Sequence, residues 1–432
     1  GARTLSPILR NRREKRFKAI GFSAIIFSLL CVISLFASVI AAGAPAFKQT
    51  FLKFELDLPT EKLDKSGTKD IKIMKKISTV GYKKILLQQL KLNLDKNGID
   101  YSQLSKKELQ NMISKEAPAQ LRYAVLADPT LLDKTFSWET LANGRIDGYY
   151  KGRVTFESAQ IDVMVSPKQL ILADIMKDAG VLVVKFNMQF FTWPDASDLR
   201  PEAAGLGVAF LGSFYMMLIV FFLAVPISVC TSIFLEEFAP KNWITDLIEI
   251  NISNLAAVPS IVFGILGLSL FINFGGLPQS APIVGGLCLT LMTLPTVVIA
   301  SRASIKAVPP SLKDAALALG ASKTQAVFHH VLPSAAPGIL TGTIIGLAQA
   351  LGETAPLLLI GMVAFVREFP SLPPGGLMEP ATALPVQIYN WTVRGDPAFV
   401  ERASGAIIVL LTFMIVMNLL AIILRRRLEK RW

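Results

Sequence analysis

The sequence has little of what metal centres, disulfide frameworks and histidine-based catalysis require. Its 432 residues include three cysteines and two histidines. Cys31, Cys230 and Cys288 each lie within an apolar run and form no CxxC pair, which argues against a disulfide framework or a zinc site. His329 and His330 are adjacent rather than spaced as metal ligands usually are. The sequence therefore predicts a protein without a metal ion or another cofactor.

Charged residues are also scarce. They make up 18% of the chain, against roughly 25% in ordinary soluble domains, whereas 52% of the residues are hydrophobic and the mean hydropathy is +0.50. This balance predicts an integral membrane protein. Much of the net charge of +12 comes from residues 1–18 and 425–432, which flank apolar runs. Such clusters are typical of the cytoplasmic ends of membrane helices, so we expect contact with membrane lipid and no nucleic-acid partner.

A nucleotide-binding P-loop is missing as well. No segment of the chain has the form GxxxxGK[ST], whose backbone cradles nucleotide phosphates. The apolar runs carry no clustered carboxylates, and the polar segment shows no pairing of a nucleophile with a base. The sequence therefore predicts a protein that is not an enzyme and that does not hydrolyse ATP by itself.

What the sequence does contain is a series of long apolar runs. The first, at residues 19–44, is long enough to cross a hydrocarbon core of about 30 Å as a helix. A cleaved signal peptide is the alternative, but its apolar region is usually about 7–15 residues long. Further spans are predicted at 207–234, 249–274, 282–301, 339–363 and 404–424. Together they predict an all-α polytopic membrane protein with six transmembrane helices.

Residues 45–200 have a different composition. They are rich in Lys, Asp and Glu, and their length of about 155 residues is enough for a core of their own. Apolar residues at three- and four-residue spacing predict helices over 81–94 and 103–126. Alternating β-branched and aromatic residues predict strands over 153–165 and 181–191. We therefore expect an inserted α+β domain outside the membrane.

Basic residues near the span ends set the predicted orientation. The basic N-terminus at 1–18 is placed in the cytoplasm, and six crossings return the C-terminus, with the arginines at 425–427, to the same side. The loop 302–338 is then cytoplasmic as well. The domain at 45–200 and the loop 364–403 are then extracytoplasmic, that is periplasmic.

One short loop departs from this pattern. It carries Glu236 and Glu237, yet the predicted orientation places it in the cytoplasm. Acidic residues contribute little to the rule, so the predicted orientation stands.

The cytoplasmic loop 302–338 contains a candidate docking element. Residues 312–319 are good helix formers, and Gly320 can end this helix by adopting a positive φ. Residues 324–331 can form a second short helix that a proline closes. A pair of helices with small side chains and a glycine elbow fits a groove on another protein. An ordinary amphipathic loop is the alternative.

This loop resembles the Glu-Ala-Ala loop of ABC-importer permeases, a motif with a glycine at fixed spacing and a closing Leu-Pro pair. The matching positions are Asp314, Ala315, Ala316, Gly320, Leu332 and Pro333. Two positions depart from the family pattern, because Asp314 replaces glutamate and His330 stands where isoleucine is usual. The resemblance implies a type I ABC-importer permease core, with five helices in residues 201–432, that docks through this loop on an ATPase subunit.

Three further stretches resemble the PstA family of phosphate permeases, at residues 255–264, 293–295 and 350–356. The resemblance covers residues 201–432 and the first span, but not 45–200. It implies import of inorganic phosphate across the cell inner membrane. The alternatives are another oxyanion, such as sulfate or molybdate, or a membrane receptor or sensor that transports nothing.

The same resemblance implies a set of partners. These are a second, PstC-like permease subunit, a dimer of PstB-like ATPase subunits and a periplasmic PstS-like phosphate-binding protein. Coupling to phosphate-starvation signalling is also implied by the family.

Glu353 is the clearest ionisable residue within a predicted span, where charges are costly and usually functional. Three interpretations remain open: it pairs with a cation such as Arg302, it accepts a hydrogen bond from a protonated phosphate oxygen, or it caps the break made by Pro356. Arg302 lies near the end of its own span, where snorkelling is the alternative role. Hydroxyls that either face an anion or bond the preceding helical turn belong to Ser260, Thr293, Thr296 and Thr354.

Pairs of glycines mark helix faces that allow close packing. Gly264 with Gly267, and Gly285 with Gly286, place small residues side by side within predicted spans. We expect these glycines to contact neighbouring helices rather than the substrate.

Overall fold

The first apolar run forms a single helix, α1 (Pro7–Gly43), in a computed structural model that describes residues 7–362 and 365–429. The helix begins earlier than the predicted span because the basic residues before it continue the same helical turns. The most apolar part of α1 is exposed on all sides within the described chain. It meets another membrane helix at Gly43, where an added Cβ atom would lie 2.6 Å from the backbone of Ser404.

The inserted domain follows α1 and is built around an antiparallel sheet. The strands are β1 (Lys48–Asp57), β2 (Thr135–Leu141) and β3 (Leu182–Phe186), in the order β2-β1-β3. Its helices are α2 (Thr60–Leu63), α3 (Ile71–Met74), α4 (Thr79–Lys96), α5 (Lys106–Gln110), α6 (Ala117–Ala127), α7 (Gly144–Tyr150), α8 (Phe156–Ile161), α9 (Pro167–Asp178) and α10 (Gln189–Thr192). The predicted α+β class of this domain is confirmed.

One face of the sheet forms the core of the inserted domain. Leu52 and Phe54 on β1 alternate with exposed residues and pack with Leu86 and Leu90 of α4. The register places Phe54 opposite Trp138 on β2, so both side chains lie on the face that packs against this core. The pattern follows from the two-residue period of a strand and the three- to four-residue spacing of a helix. The helix predicted over 81–94 is confirmed.

Two predictions inside the domain are wrong, namely a strand over 153–165 and an unbroken helix over 103–126. Residues 153–165 contain α8 rather than a strand, because Thr155 and Ser158 form a capping box that starts a helix. Ile161 and Val163, which gave the alternating pattern, are 87% and 97% exposed, so no neighbouring strand covers them.

The helix predicted over 103–126 is interrupted between α5 and α6. The Ser114 amide donates to the Leu141 carbonyl at 2.9 Å and ties the intervening residues to β2. Of the strand predicted over 181–191, the first part forms β3, and the chain then turns at Asn187. β1 and β2 carry no prediction from the sequence.

The remaining helices form the mostly apolar second part of the chain. They are α11 (Gly207–Ile233), α12 (Trp243–Ala256), α13 (Ser260–Leu266), α14 (Pro282–Lys306), α15 (Pro310–Ala318), α16 (Lys323–Ala326), α17 (Leu332–Leu351), α18 (Ala355–Leu359), α19 (Leu384–Val393) and α20 (Pro397–Leu428). Three of them continue as π-helical segments at Phe234–Phe238, Gly267–Phe274 and Val327–Val331. Short 3₁₀ turns lie at Ala44–Phe47, Pro129–Asp133, Pro201–Ala203 and Gly375–Met378.

Within the described residues, five helices are long and apolar enough to cross a membrane: α1, α11, α14, α20 and the helix that ends with α17. A sixth crossing requires α12 and the helix that begins at Ser260 to act together, although they bend by 103°. The span predicted at 249–274 is therefore a bent pair of helices in the structure rather than one straight helix. The break comes at Pro259, because proline lacks an amide donor and disfavours helical backbone in the residue before it.

The span predicted at 339–363 also differs from the structure. The helix begins seven residues earlier, at Leu332, and α17 ends at Leu351. After Gly352 the chain makes a short break, and α18 starts at Ala355. The spans predicted at 207–234, 282–301 and 404–424 correspond to α11, α14 and α20; α11 matches its predicted ends to within one residue, α14 ends five residues later than predicted, and α20 is longer at both ends. The predicted class, a mostly helical polytopic protein, is confirmed.

The glycine pairs do lie at helix contacts. A Cβ atom at Gly264 of α13 would lie 2.6 Å from the Pro356 backbone in α18. One at Gly286 of α14 would lie 2.7 Å from Ile219 of α11. The role of these glycines in close packing is confirmed.

Candidate functional site

The predicted docking element has the expected local shape. α15 is followed by Gly320 at a φ of +92°, a backbone conformation that favours glycine. Ser322 then caps α16, and Gln325 completes the capping box. Helix, elbow and second helix therefore follow one another as the sequence indicates. The prediction that Pro333 closes the second helix is wrong, because that helix continues through Val327–Val331 into α17. We call residues 310–331 the docking loop.

An apolar cluster fixes the docking loop to the ends of the long helices. Val327 and Val331 of the loop are buried against Ile233 of α11 and Ile305 of α14. Such contacts stabilise the position of the loop mainly by removing apolar surface from water.

The opposite face of the docking loop has no such cover. Leu319 is 90% exposed, and Leu317 and Phe328 are exposed as well. Asp314 and Ala315 lie on the exposed side of α15, whereas Ala316 is buried. Pro333 is exposed and Leu332 packs against the apolar cluster. The motif residues therefore divide between an anchored face and a free face.

Arg302 lies beside two carboxylates. Its Nε atom is 2.7 Å from an Oε atom of Glu236, and its NH2 atom is 2.8 Å from an Oε atom of Glu249. The pairing of Arg302 with Glu353 that the sequence left open is therefore not observed. The acidic loop that departs from the basic-residue pattern is also explained, because cations neutralise it.

A cavity of about 240 Å³ collects most of the other candidate residues. Ser260, Thr293, Thr296 and Glu353 all line it, at the meeting point of α13, α14 and the end of α17. Thr354 and Arg302 do not line it. The Thr293 hydroxyl donates to the Leu289 carbonyl at 2.7 Å, so its hydrogen already serves the preceding turn.

Gln349 also lines this cavity and carries no prediction from the sequence. It lies four residues before Glu353, a spacing that puts two side chains on one face of the helix predicted over 339–363, although α17 ends at Leu351, before Glu353. That spacing is the signal that would have found it. The cavity thus presents an amide, hydroxyls and one carboxylate, which together can donate to and accept from a small oxyanion.

A second polar region joins the inserted domain to α20. Lys151 is only 5% exposed, and its Nζ atom lies 2.9 Å from Asp147 and 3.0 Å from Glu401. Arg153 also pairs with Glu401. Burial lowers the pKa of Lys151 to about 8, while the charge of Asp147 opposes that shift. Glu401 lies 250 positions from Lys151 in sequence, so no local spacing could have indicated that contact.

Arg402 binds both chain connections of the inserted domain. Its guanidinium donates to the side chain of Gln49 at 2.9 Å, just after the chain leaves α1. It also donates to the backbone carbonyls of Glu202 and Ala204, at 2.7 and 2.6 Å, just before α11 begins. One buried cation therefore holds both ends of the domain at the start of α20.

The carboxyl group of Glu202 is buried in the same region. Burial raises the pKa of Glu202 to about 7, and a hydrogen bond from the Ser114 hydroxyl, at 2.5 Å, opposes the shift. Glu202 is therefore protonated at pH values at which an ordinary glutamate is already ionised.

Asp195 ties the end of the inserted domain to α19. It accepts hydrogen bonds from Trp391 at 2.8 Å and from Gln387 at 3.2 Å, and it pairs with Arg394. Because these side chains are mostly buried, the contact orders the approach of the domain to the helices.

Comparison with known proteins identifies the helical part. The family model described as binding-protein-dependent transport system inner membrane component matches residues 203–432, slightly more than half of the chain. The chain belongs to this permease family. It is therefore a multi-pass membrane component of an ABC importer, and the resemblance predicted from the docking loop is confirmed. A model described as a domain of unknown function, DUF3333, matches residues 8–160.

Individual relatives agree with this family. The chain is 35% identical over 250 residues to the probable ABC transporter permease protein YqgI of Bacillus subtilis, covering 55% of this chain and 83% of that protein. It is 32% identical over 223 residues to the phosphate transport system permease protein PstA 1 of Mycobacterium tuberculosis, covering 52% of this chain and 71% of that protein. The predicted likeness to PstA permeases is confirmed.

A solved structure of the methionine ABC transporter MetNI overlaps a similar share of the chain. The overlap covers 52% of this chain and 97% of that chain, at 18% identity and a TM-score of 0.39. This structural overlap is loose.

Proposed function

We propose that this chain is the permease subunit of an ABC importer that moves inorganic phosphate inward across the inner membrane. The docking loop carries the proposal, because its anchored and free faces suit an element that transmits a partner's movement to the long helices. The PstA permeases among the relatives support phosphate as the cargo.

The proposed orientation places the docking loop and both chain ends in the cytoplasm and the inserted domain in the periplasm. A cavity of about 400 Å³ is lined by Arg425 at the end of α20 together with Ser304 and Ser334 beside the docking loop. The basic end of α20 and the docking loop therefore share one side, which the basic-residue rule assigns to the cytoplasm. Gly43 meets Ser404 near the opposite end of α20, beside the inserted domain.

In this proposal, the exposed face of the docking loop binds a separate ATPase subunit. Leu317, Leu319 and Phe328 provide apolar contacts, and Asp314 adds a charge at the rim. The chain contributes no P-loop, so nucleotide hydrolysis belongs to the partner. The proposed complex contains a PstC-like permease, two PstB-like ATPase subunits and a PstS-like periplasmic phosphate-binding protein.

The central cavity forms part of the proposed phosphate path. Hydroxyl and amide groups of Ser260, Thr296 and Gln349 donate to phosphate oxygens, whereas Glu353 accepts from the oxygen that keeps its proton. A carboxylate would repel a fully deprotonated anion such as sulfate, so the same residue favours a protonated oxyanion. Thr354 precedes the first residue of α18 and lies outside this lining, and Arg302 pairs with glutamates, so both take structural roles.

The experiment pairs docking with transport. In cells that make the whole importer, Gly320→Val should lose the positive φ and reduce both recovery of the ATPase subunit with the permease and uptake of radiolabelled phosphate. Asp314→Asn should weaken both to a lesser degree. Gly98→Val serves as a control, because Gly98 also has a positive φ but lies in the inserted domain.

Two outcomes would contradict the proposal. Unchanged uptake and unchanged ATPase recovery in Gly320→Val would mean that the loop is dispensable, as a sensor without transport requires. Stronger inhibition of uptake by excess sulfate or molybdate than by excess phosphate would assign the chain to another oxyanion.

A further inference from the structure

The end of α11 is not a regular α-helix. Its last turn widens into the π-helical segment Phe234–Phe238, which carries two neighbouring glutamates, Glu236 and Glu237. Single π-helical turns are uncommon and occur frequently at functional positions. No part of the docking motif or of the central cavity includes this segment.

The segment contacts each helix that enters or forms the docking loop. Glu237 lies 2.6 Å from Lys313 Nζ on α15. Glu236 lies 2.7 Å from Arg302 Nε on α14. The Lys323 ammonium of α16 sits 5.4 Å from the centre of the Phe238 ring, at a distance suited to a cation–π contact.

These charges are shielded more than ordinary surface pairs. The side chains of Glu236 and Glu237 are each 11% exposed, and that of Lys313 is 27% exposed. Ion pairs in exposed positions are usually weak, whereas partly buried charges depend strongly on their partners. Removing one charge therefore leaves the other partly buried without its partner.

We propose that Glu237 and Lys313 form a coupling tie between α11 and the docking loop. This inference rests on the proposed docking of an ATPase subunit. The apolar cluster holds the loop in place but has no directional preference, so it permits α15 to slide or rotate. The tie fixes the direction in which α15 pulls α11, and Glu236 with Arg302 extends the same link to α14. Both glutamates are positioning residues and do not touch the cargo.

The test uses the whole importer reconstituted in lipid vesicles, with Glu237→Gln in this chain. Recovery of the ATPase subunit should stay at the wild-type level, because the exposed docking face is unchanged. The coupling ratio, which is the amount of phosphate moved per ATP hydrolysed, should fall about fivefold. That factor corresponds to a coupling free energy of roughly 1 kcal/mol. ATP hydrolysis should continue without matching uptake, a result that simple misfolding does not produce.

Two further variants make the test specific. Lys306→Gln is the matched control, because Lys306 lies 3.6 Å from Glu236 and its side chain is 64% exposed, so the coupling ratio should change little. The reversed pair Glu237→Lys with Lys313→Glu restores opposite charges and should recover most of the coupling ratio. The reversed pair also decides the question where Glu237→Gln is made in too small an amount for transport to be measured.

Several results would overturn the tie. An unchanged coupling ratio in Glu237→Gln would do so, as would failure of the reversed pair to recover coupling. Loss of the ATPase subunit in Glu237→Gln would make the residue part of the docking surface instead. Gly320→Val separates the two proposals, because normal ATPase recovery in that variant contradicts docking itself, whatever Glu237 does.

Discussion

Single buried charges decide how the inserted domain meets the membrane helices. Lys151, Glu401 and Arg402 are each almost fully enclosed, and each finds a partner on the other side of the junction. A buried charge without a partner costs several kilocalories per mole, so these residues specify one arrangement of the domain. These three residues therefore determine how the domain contacts the helices.

Glu202 should make the stability of the protein depend on pH. Its folded pKa of about 7 lies above the ordinary value of 4.5, so the folded state binds the proton more tightly than the unfolded state. Its contribution is present at low pH and is lost as the pH rises from about 4.5 to about 7, by up to about 3 kcal/mol. Thermal unfolding of the purified protein should show this fall.

The matched variant is Glu202→Gln. The amide keeps the shape of the protonated carboxyl group and does not titrate, so the midpoint should vary less between about pH 5 and about pH 7.5 than in the wild type. A wild type and a variant with the same pH dependence would contradict the assignment to Glu202.

At the scale of elements, the broken helices matter more than the continuous ones. α13 and α18 both follow breaks, and they pack together where Gly264 faces the backbone of Pro356. These two breaks also bring Ser260 and Glu353 to the same cavity. Close contact between the broken elements therefore positions the polar residues of the cavity.

Gly264→Ala should disturb this contact. The added methyl group would meet backbone atoms that cannot move aside, so we expect the free energy of unfolding to fall by about 1–3 kcal/mol and the thermal midpoint to be lower. Gly21→Ala in α1 is the control, because nothing lies within 4 Å of its added Cβ atom. This substitution should make the helix slightly more stable. Equal midpoints for the two variants would contradict the packing role of Gly264.

Long apolar runs and the docking motif were predictable because each depends on local sequence. Hydropathy identified α1, α11, α14 and α20, and spacing identified Gly320 as an elbow. The bend at Pro259 was missed because an apolar run reads as continuous on either side of a proline.

The tertiary contacts were less accessible. β1 was missed although Leu52, Phe54 and Leu56 alternate with charged residues, which is a local strand signal; only its pairing with β2 and β3 depends on residues far along the chain. The partners of Glu236 and Arg302 also depend on how helices pack, which local patterns do not contain. Among the residues that line the cavity, the hydroxyl residues and Glu353 were predicted from the chemistry of single side chains. Gln349 could have been predicted only from its spacing to Glu353.

At the scale of the whole molecule, the inserted domain and the helices form one cooperative unit. An apolar cluster joins Phe51 and Leu141 of the domain to Trp391 and Phe399 of the helices. The guanidinium groups of Arg394 and Arg402 lie over the rings of Phe399 and Phe190 in this cluster. We therefore expect the domain and the helical part to unfold in a single transition.

Glu401→Gln should weaken that unit. Lys151 and Arg153 would keep their charges while losing a partner, at a cost of about 3 kcal/mol, and the domain should become cleavable by protease before the helices unfold. Adding Lys151→Met should recover part of the loss. Glu139→Gln removes a more exposed carboxylate paired with Lys185 and should change little. Identical protease resistance in Glu401→Gln and Glu139→Gln would contradict the junction.

The two chain connections of the inserted domain lie side by side. The Asn187 amide donates to the Phe47 carbonyl at 2.8 Å, and Arg402 grips the neighbouring segments. A polypeptide of any size could thus be spliced in at this point without pushing α1 and α11 apart. Such a domain could be gained or lost during evolution without a change in how the membrane helices pack.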